Sequence, residues 1–272
     1  MIVAFWSPFA GVSAASSGML ATVLATAIAN HKKCSVMNIG YDTQSSFPYF
    51  MPRSNGGDLQ IYENTGVDAL LRESKSKVMS AAEVEDYAFS FAEKRINVFT
   101  PTNIVSEVLY IENVLDAIEN VFKALRSAYQ ISFVDVESGV NEYSKAVLPL
   151  ADLVVVCLPQ SSHRIEMYFE KYKVPNKNVI YLLSNYDAHQ KVNQFYLQFK
   201  YSKHLRKSTV IALPHNSEYA NSLNSATAIS YYLRNIQCTA KDYNYQFIKS
   251  SKANSSMILK RCSVRIKEDE SE

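Results

Sequence analysis

The first thirty residues constrain the fold of this chain most strongly. Residues 2–6 form a short apolar run, residues 7–18 are mostly small and typical of a turn, and residues 19–29 are apolar on nearly every side. A helix that is apolar all round must pack on a sheet and be covered by neighbouring elements. The chain is therefore expected to begin as a buried strand, a turn and a buried helix.

Apolar runs alternate with helical stretches along the rest of the chain. Several of the runs lack polar alternation, which is the pattern of a parallel sheet buried on both faces. The sequence predicts an α/β fold, with a doubly wound, mostly parallel sheet flanked by helices. The predicted strands are Ile2 to Trp6, Ser35 to Ile39, Ile96 to Phe99, Ile131 to Val136, Leu153 to Leu158, Val179 to Ser184 and Val210 to Leu213. The predicted helices are Gly18 to His31, Val67 to Ser74, Ala81 to Arg95, Ile111 to Ala128, Arg164 to Lys171, His189 to Phe199 and Ser217 to Arg234.

Composition narrows the class of protein. With 272 residues, 47% hydrophobic and 20% charged, the chain can bury a sizeable core, and a net charge of +2 does not by itself indicate nucleic acid or an acidic membrane. The cysteines form no C-x-x-C pair and the histidines have no metal-ligand spacing, so no metal site is predicted. Without a signal peptide or membrane span, the chain is expected to be cytoplasmic, and Cys34 and Cys157 are expected in the core.

We expect a single domain over residues 1–248 and a polar C-terminal tail over residues 249–272. The tail is first basic, around Met257 to Leu259, and then acidic. A basic segment with an apolar centre suits an anionic membrane or DNA phosphates, but the apolar part is short and the terminal acids oppose both surfaces. A solvated or dimer-packed tail is the favoured interpretation.

The strand, small-residue turn and helix at the start have the arrangement of a P-loop, which normally carries a lysine for the β- and γ-phosphates. Here the first lysine or arginine is Lys32. The loop therefore retains the form of a phosphate cradle without its cation.

Five segments then occur in the order that the ParA/MinD family of deviant Walker ATPases shows. The opening Phe5 to Pro8 and the turn resemble the start of that family, whose loop reads approximately S-x-K-G-G-x-G-K-T-T. The other four are similar to the family's second strand, Walker B strand, A-D-x-V-I-V strand and I-P-Y-D/N turn. They are Val36 to Gln44, Tyr129 to Gly139, Ala151 to Val156 and Leu213 to Asn216.

The resemblance assigns roles to individual residues. Phe9 stands at the family's signature lysine, Ala14 at the invariant lysine and Ala15 at the Mg²⁺ hydroxyl; a shifted register would bring Ser16 or Ser17 to that hydroxyl, but none restores a lysine. Asp135 matches the Walker B carboxylate and Asp42 the surviving second-strand acid, since Gly40 replaces the first. Asn185 matches a base-contacting asparagine, although it is equally typical of a turn. The vestigial loop comprises Phe9, Ala10, Gly11, Val12, Ser13, Ala14, Ala15, Ser16 and Ser17.

The missing cations affect hydrolysis more than binding. One charge-assisted hydrogen bond contributes ~1.5–3 kcal/mol, so ATP with Mg²⁺ would be bound weakly or not at all. A cation placed against the charge of the transition state increases the rate of phosphoryl transfer by about 10³–10⁵, so hydrolysis is expected to be lost without it. The sequence thus predicts a pseudo-ATPase that acts as a localisation or assembly scaffold.

The resemblance also suggests partners. It points to the CpaE/TadZ group, which implies Tad (Flp) pilus or secretion machinery. It also implies homodimers, for which the loop from Phe9 to Ser17 is a candidate contact surface. The alternative for Phe9 is that its side chain packs within its own domain. The alternative is an ATP-dependent partitioning-type ATPase acting on DNA or membrane. The protein is expected in the cytoplasm or peripherally at the inner face of the membrane.

Overall fold

The protein is described by a computed structural model that covers residues 1–9, 14–41, 46–51, 65–172, 174–176, 178–203, 205 and 209–269, without the side chains of residues 14–16 and 264–269. One eight-stranded sheet runs through these ranges in the order β3-β4-β2-β5-β1-β6-β7-β8. All neighbouring strands are parallel except the β3–β4 pair. This confirms the predicted α/β class. The strands are β1 Ile2–Trp6, β2 Cys34–Ile39, β3 Phe89–Phe91, β4 Ile96–Val98, β5 Ile131–Val136, β6 Leu153–Leu158, β7 Val179–Tyr186 and β8 Val210–Pro214.

Helices cover both faces of the sheet, and the sheet separates the core into two hydrophobic clusters, one under each layer of helices. One face carries α1, α8, α9 and α10, and the other carries α2 to α7. Strands β1, β2, β5 and β6 are buried at every position, as their unalternating apolar sequences predict. The helices are α1 Ala14–Leu24, α2 Gly66–Ser74, α3 Ala81–Asp86, α4 Glu107–Ala128, α5 Glu142–Val147, α6 Ser162–Lys171, α7 Gln194–Lys200, α8 Ser217–Asn224, α9 Ala228–Asn235 and α10 Tyr245–Asp269.

The centre of the sheet contains a topological switch point. Strand β1 lies between β5 and β6, and the chain leaves β1 through α1 toward β2, on the far side of β5. From β5 it crosses β1 in the other direction, through α5 to β6. Open α/β sheets bind ligands at the carboxyl ends of the strands beside such a point. The topology therefore directs attention to the loops that follow β1 and β5.

Two predicted helices are interrupted in the structure, and a third, predicted over His189 to Phe199, begins only at Gln194. The helix predicted over Ala81 to Arg95 ends at Asp86, and a hairpin of β3 and β4 follows, with the turn residues Ala92 to Lys94 in left-handed conformation. The Phe89 ring packs edge-on against the Phe47 ring at a centroid distance of 5.3 Å. The Phe91 ring packs at a tilt against the Phe50 ring at a centroid distance of 5.5 Å. Packing of these alternating, half-buried aromatics favours a strand over the local helix propensity.

The helix predicted over Ser217 to Arg234 is two helices. Helix α8 ends at Asn224, Ala226 adopts a left-handed φ of 53°, and α9 begins at Ala228. The break orients both helices onto a buried polar network. In that network the Asn216 amide donates to Asn244 Oδ1 at 2.8 Å, and the Tyr231 hydroxyl lies 3.2 Å and 3.1 Å from the amide oxygens of these two asparagines.

Residues 249–269, which belong to the segment expected as a polar tail, lie within α10. Its small polar residues face the domain, since Ser255 Oγ lies 2.7 Å from Thr26 Oγ1 and the Asn254 amide donates to Ala212 O at 3.1 Å. The partner residue Thr26 belongs to a π-helical turn, Ala25–Ala29, that directly follows α1. Among the described residues, no helix combines the length and apolar character needed to cross a bilayer.

Candidate functional site

The carboxyl end of β1 is fastened to the loop that follows β5. The Trp6 indole N–H donates to Gly139 O at 2.8 Å, and the Gly139 N–H donates to Ser7 O at 2.8 Å. Gly139 has a φ of +97°, a conformation that residues with a Cβ rarely adopt. The glycine at the end of the Walker B-like segment is therefore required by this two-way contact.

Asp135 lies in β5, in register with Phe5 of β1 and Asn38 of β2. Its carboxyl group is almost fully buried, and Oδ2 accepts a hydrogen bond from the Asn38 amide at 3.3 Å. Asn38 Oδ1 in turn accepts from the Ser46 N–H at 3.1 Å and from its hydroxyl at 2.7 Å. The Walker B-like carboxylate is thus part of a buried polar chain that crosses from β5 to β2 and the segment after it.

Glu137 forms a second link between the loops that follow β5 and β2. Its carboxylate accepts the Tyr41 N–H at 2.7 Å and the Asn141 amide at 3.2 Å. The Tyr41 hydroxyl donates to Val105 O, in the segment that leads into α4. The rim of this edge is therefore built from side chains of one loop that hydrogen-bond to the backbone of the next.

Phe9 packs inside its own domain. The side chain is 7% exposed, and its ring meets the Tyr172 ring edge-on at a centroid distance of 5.8 Å. The Arg164 guanidinium, from α6, lies 5.3 Å from the Phe9 ring centroid. Of the two placements open for Phe9, the geometry fits packing within its own domain. A cation does approach this position, but it contacts an aromatic face.

The rest of the vestigial loop is only partly described. Ala10, Gly11, Val12 and Ser13 lie outside the described residues, and Ala14, Ala15 and Ser16 are described only as part of helix α1. Ser17 follows them in α1, and its carbonyl accepts a hydrogen bond from the Tyr219 hydroxyl at 3.0 Å.

Gly18 closes the packing behind the loop. A Cβ atom there would come within 2.6 Å of Leu182 Cδ2 and 2.7 Å of Ser184 Oγ, both on β7. The glycine thus allows the first turns of α1 to approach the sheet closely.

The two remaining predicted site residues are Asp42 and Asn185. Asp42 lies outside the described residues. Asn185 is exposed and has a left-handed φ of 53°, at an irregularity in the pairing of β7 with β8 between Leu183 and Tyr186. Asparagine tolerates that conformation better than most residues, and here it occurs at an irregularity within β7 and not in a separate turn.

Sequence reasoning missed Asn38, Glu137 and Arg164. Asn38 lies within the second-strand segment, and its alignment opposite Asp135 becomes evident only when β2 and β5 are paired. Glu137 belongs to the Walker B-like segment, but no pattern in the sequence gives it a role. Arg164 gave no signal, because its contact with Phe9 joins residues 155 positions apart in different elements.

No alternative reactive centre is evident beside the carboxylate in the described part of the chain. Cys157 is fully buried on β6, and burial, reinforced by the nearby Asp135, raises the pKa of its thiol well above the usual range. Burial likewise raises the pKa of Cys34. Both thiols are thus inert core residues. The described residues include no group of three or more His, Cys, Asp or Glu side chains placed to share a metal ion.

Known structures match the architecture although the sequence matches no family model and no curated protein. The fold is similar to a ParA family ATPase from Chlorobium tepidum, with a TM-score of 0.67 and 11% identity over 93% of this chain and 96% of that one. It is also similar to an ATP complex of a McdA variant from Cyanothece, with a TM-score of 0.61 and 10% identity over 94% and 95%. A third match is the MinC:MinD cell division complex of Aquifex aeolicus, with a TM-score of 0.54 and 8% identity over 95% of each chain.

The fold is therefore an α/β P-loop NTPase-like fold of the ParA/MinD type. At these identities the likeness defines architecture and leaves the chemistry to the residues of the site.

Proposed function

We propose that this protein is a ParA/MinD-like pseudo-ATPase that acts as a localisation or assembly scaffold through protein contacts. The observation that carries the proposal is the placement of Phe9. Where the resemblance calls for a lysine, a buried aromatic ring contacts the Tyr172 ring and the Arg164 guanidinium. A buried ring at this position contributes to the core and supplies no charge to a transition state.

The carboxylate supports the same proposal. Asp135 has a carboxyl oxygen bonded to Asn38, and Asn38 is held by Ser46. The first lysine of the chain, Lys32, lies beyond helix α1. With one acid in a buried network and no lysine in the loop, the residues do not fit phosphoryl transfer to water. Loop amides and the start of α1 would still favour an anion, so weak binding of ATP with Mg²⁺ is part of the proposal.

Exposed apolar side chains at the rim support a protein partner, in the first place a second copy of the chain. Val105 is 90% exposed and Val108 is 68% exposed, beside the Tyr41 and Glu137 link. Val140, also exposed, lies in the loop held by Trp6. Since Phe9 is turned into its own core, these valines replace it as the proposed dimer contact. From the sequence resemblance we propose that the larger assembly is pilus or secretion machinery.

The alternative function is an ATP-dependent partitioning-type ATPase, and one observation favours it. Asp135 is retained at the strand position where that class holds its metal-bound water, in a fold similar to one that binds ATP.

Calorimetric titration with ATP and Mg²⁺, paired with a phosphate-release assay, separates the two functions. We expect weak or no binding and no release above a buffer blank, in the native protein and equally in Asp135→Asn. Asp135→Asn is the matched control because it keeps the size and hydrogen-bonding shape of the side chain. Turnover in the native protein that Asp135→Asn abolishes would overturn the pseudo-ATPase proposal.

The dimer is tested separately by light scattering on a sizing column, with Val105→Asp/Val108→Asp against Val78→Asp. Val78 is also an exposed valine, but it lies between α2 and α3. A dimer that only the rim variant dissociates supports the proposed surface. A native monomer at all concentrations, or equal effects of both variants, contradicts it.

A further inference from the structure

Helix α7 displays two phenylalanines to solvent. Phe195 is 81% exposed and Phe199 is 87% exposed, and their spacing of four residues places them on one side of the helix. The opposite side is anchored, since Leu197 is buried and the following Tyr201 stacks on Phe169 of α6 at a centroid distance of 5.0 Å. The helix is therefore held firmly while its aromatic side faces outward.

The same segment has an unusual charge pattern. No aspartate or glutamate occurs between Asp187 and Glu218, whereas the interval contains the basic residues Lys191, Lys200, Lys203, Arg206 and Lys207. The whole chain has a net charge of only +2, so the remainder is net negative. Of these five residues the structure describes Lys191, Lys200 and Lys203, and all three are exposed.

Nearby acids offset this charge only in part. Lys200 Nζ lies 3.4 Å from Glu166 Oε1 on α6, and Glu170 is exposed one turn further along that helix. Exposed pairs of this kind are weak and screened by salt. Among the salt bridges between described residues, Lys191 and Lys203 take part in none.

We infer that this surface, consisting of Phe195 and Phe199 with Lys191, Lys200 and Lys203, docks the protein on an anionic lipid bilayer. Exposed aromatics with lysines at their sides are the composition by which short interfacial helices enter the boundary between headgroups and acyl chains. The rings would enter the apolar layer while the long lysine stems keep their ammonium groups at the phosphates.

Nucleic acid suits the surface less well. Single-stranded binding uses a groove that follows the backbone, with aromatics as flat stacking platforms along it. Here the two rings project from one turn of a convex helix of seven residues, a shape that inserts into a layer more readily than it lines a groove. The inference is independent of the proposed scaffold function and places the membrane contact on α7 instead of the C-terminal segment.

Vesicle co-sedimentation of the full chain tests the inference. We expect binding to vesicles of phosphatidylcholine mixed with phosphatidylserine, little binding to pure phosphatidylcholine, and a decrease as salt is raised. Phe195→Ser/Phe199→Ser should weaken binding at least about tenfold, because the variant loses the favourable free energy of moving two large apolar side chains from water into the bilayer. Lys191→Gln/Lys203→Gln should weaken it mainly at low salt.

Two control variants keep the outcome specific. Leu233→Ser removes an exposed apolar side chain from α9, and Lys260→Gln/Arg261→Gln removes charge from α10; both should bind like the native protein. Unchanged circular dichroism of the phenylalanine variant excludes unfolding as the cause. Equal sedimentation with neutral and anionic vesicles, no effect of the phenylalanine change, or loss of binding in the α10 variant alone would overturn the inference. Binding of an oligonucleotide that competes with vesicles and depends on the lysines but not on the phenylalanines would also overturn it.

Discussion

Phenylalanines serve opposite purposes at the carboxyl end of β1 and on α7. Phe9 is 7% exposed, packs on Tyr172 and has a guanidinium against its ring. Phe199 is 87% exposed and lies in a segment of lysines without acids. At the first place an aromatic ring occupies the position that the sequence resemblance assigns to a lysine. At the second, apolar rings and charged side chains are exposed together. The comparison shows that residue type alone does not indicate function, whereas burial and the neighbouring charges do.

Substituting lysine at both positions tests this contrast most strongly. Phe9→Lys should lower the free energy of unfolding by about 3–5 kcal/mol, because it removes a packed ring and buries an ammonium beside Arg164. Phe199→Lys, the matched control, should change it by less than about 0.5 kcal/mol. Urea unfolding gives both values. Equal costs would remove the basis of the comparison.

The Phe9→Lys variant should also regain stability as the pH rises. Burial and Arg164 would hold the pKa of the introduced amine below its unfolded value, so the unfolded chain binds more protons than the folded one. Stability then rises with pH until the same amine in the unfolded chain loses its proton. Unfolding curves between neutral and alkaline pH measure this, relative to a Phe9→Leu control without a titrating group. A flat difference would indicate that the introduced ammonium group reaches solvent.

Asn38→Asp examines the polar chain at the site with a smaller expected effect. Two carboxyl groups would then face each other across the 3.3 Å contact between Asn38 Nδ2 and Asp135 Oδ2. One pKa should rise, so stability should be lost as the pH rises from about 4 to about 7, by about 2–3 kcal/mol relative to the native protein. The exchange Asn38→Asp/Asp135→Asn restores one amide and one carboxylate and should recover most of the loss. If it recovers nothing, the contact is not what stabilises Asp135.

Substitutions at Asn185 test whether this residue serves its left-handed backbone conformation or contacts a nucleotide, and we expect effects of about 1 kcal/mol or less. Asn185→Ala should be destabilising by that amount, because alanine is strained at a φ of 53°, whereas Asn185→Gly should be near neutral. If ATP binds at all, calorimetry should find the same affinity for the glycine variant and the native protein. Weaker ATP binding by Asn185→Gly with unchanged stability would support a base-contacting role.

The smallest expected change concerns α7 itself. Phe195→Ser/Phe199→Ser should leave the free energy of unfolding within about 0.5 kcal/mol of the native value, since rings this exposed contribute little to the core. Thermal and urea unfolding check this before any vesicle experiment. A clear loss of stability would show that the rings pack more closely than their exposure indicates.

The sheet could be predicted from sequence because its central strands are continuous apolar runs, and the run from Ile131 to Val136 is a strand with those bounds. The hairpin after Asp86 could not, since Phe89 and Phe91 gain their advantage from rings more than thirty residues away. Helix α10 was missed for another reason. Its buried face contains Ser251, Asn254 and Ser255. Small polar residues of this kind predict a solvated surface, because their hydrogen-bond partners lie in distant parts of the sequence.

The candidate site divides in the same way. The sequence predicts Asp135 near the carboxyl end of a central strand, because the apolar run of the Walker B-like segment marks where that strand begins and ends. Its hydrogen bond to Asn38 and the contact of Arg164 with Phe9 depend on which strands and helices become neighbours. The sequence indicated the carboxylate and the loop, whereas the residues that contact them became evident only in the folded structure.

Trp6 has a spectroscopic consequence. It is the single tryptophan of the chain, and its indole hydrogen bond to Gly139 fastens the loop after β1 to the loop after β5. Fluorescence excited selectively at tryptophan therefore comes from this one edge of the sheet. Any anion, nucleotide or partner that separates the two loops would shift that emission, so the protein contains a label-free reporter at its own candidate site.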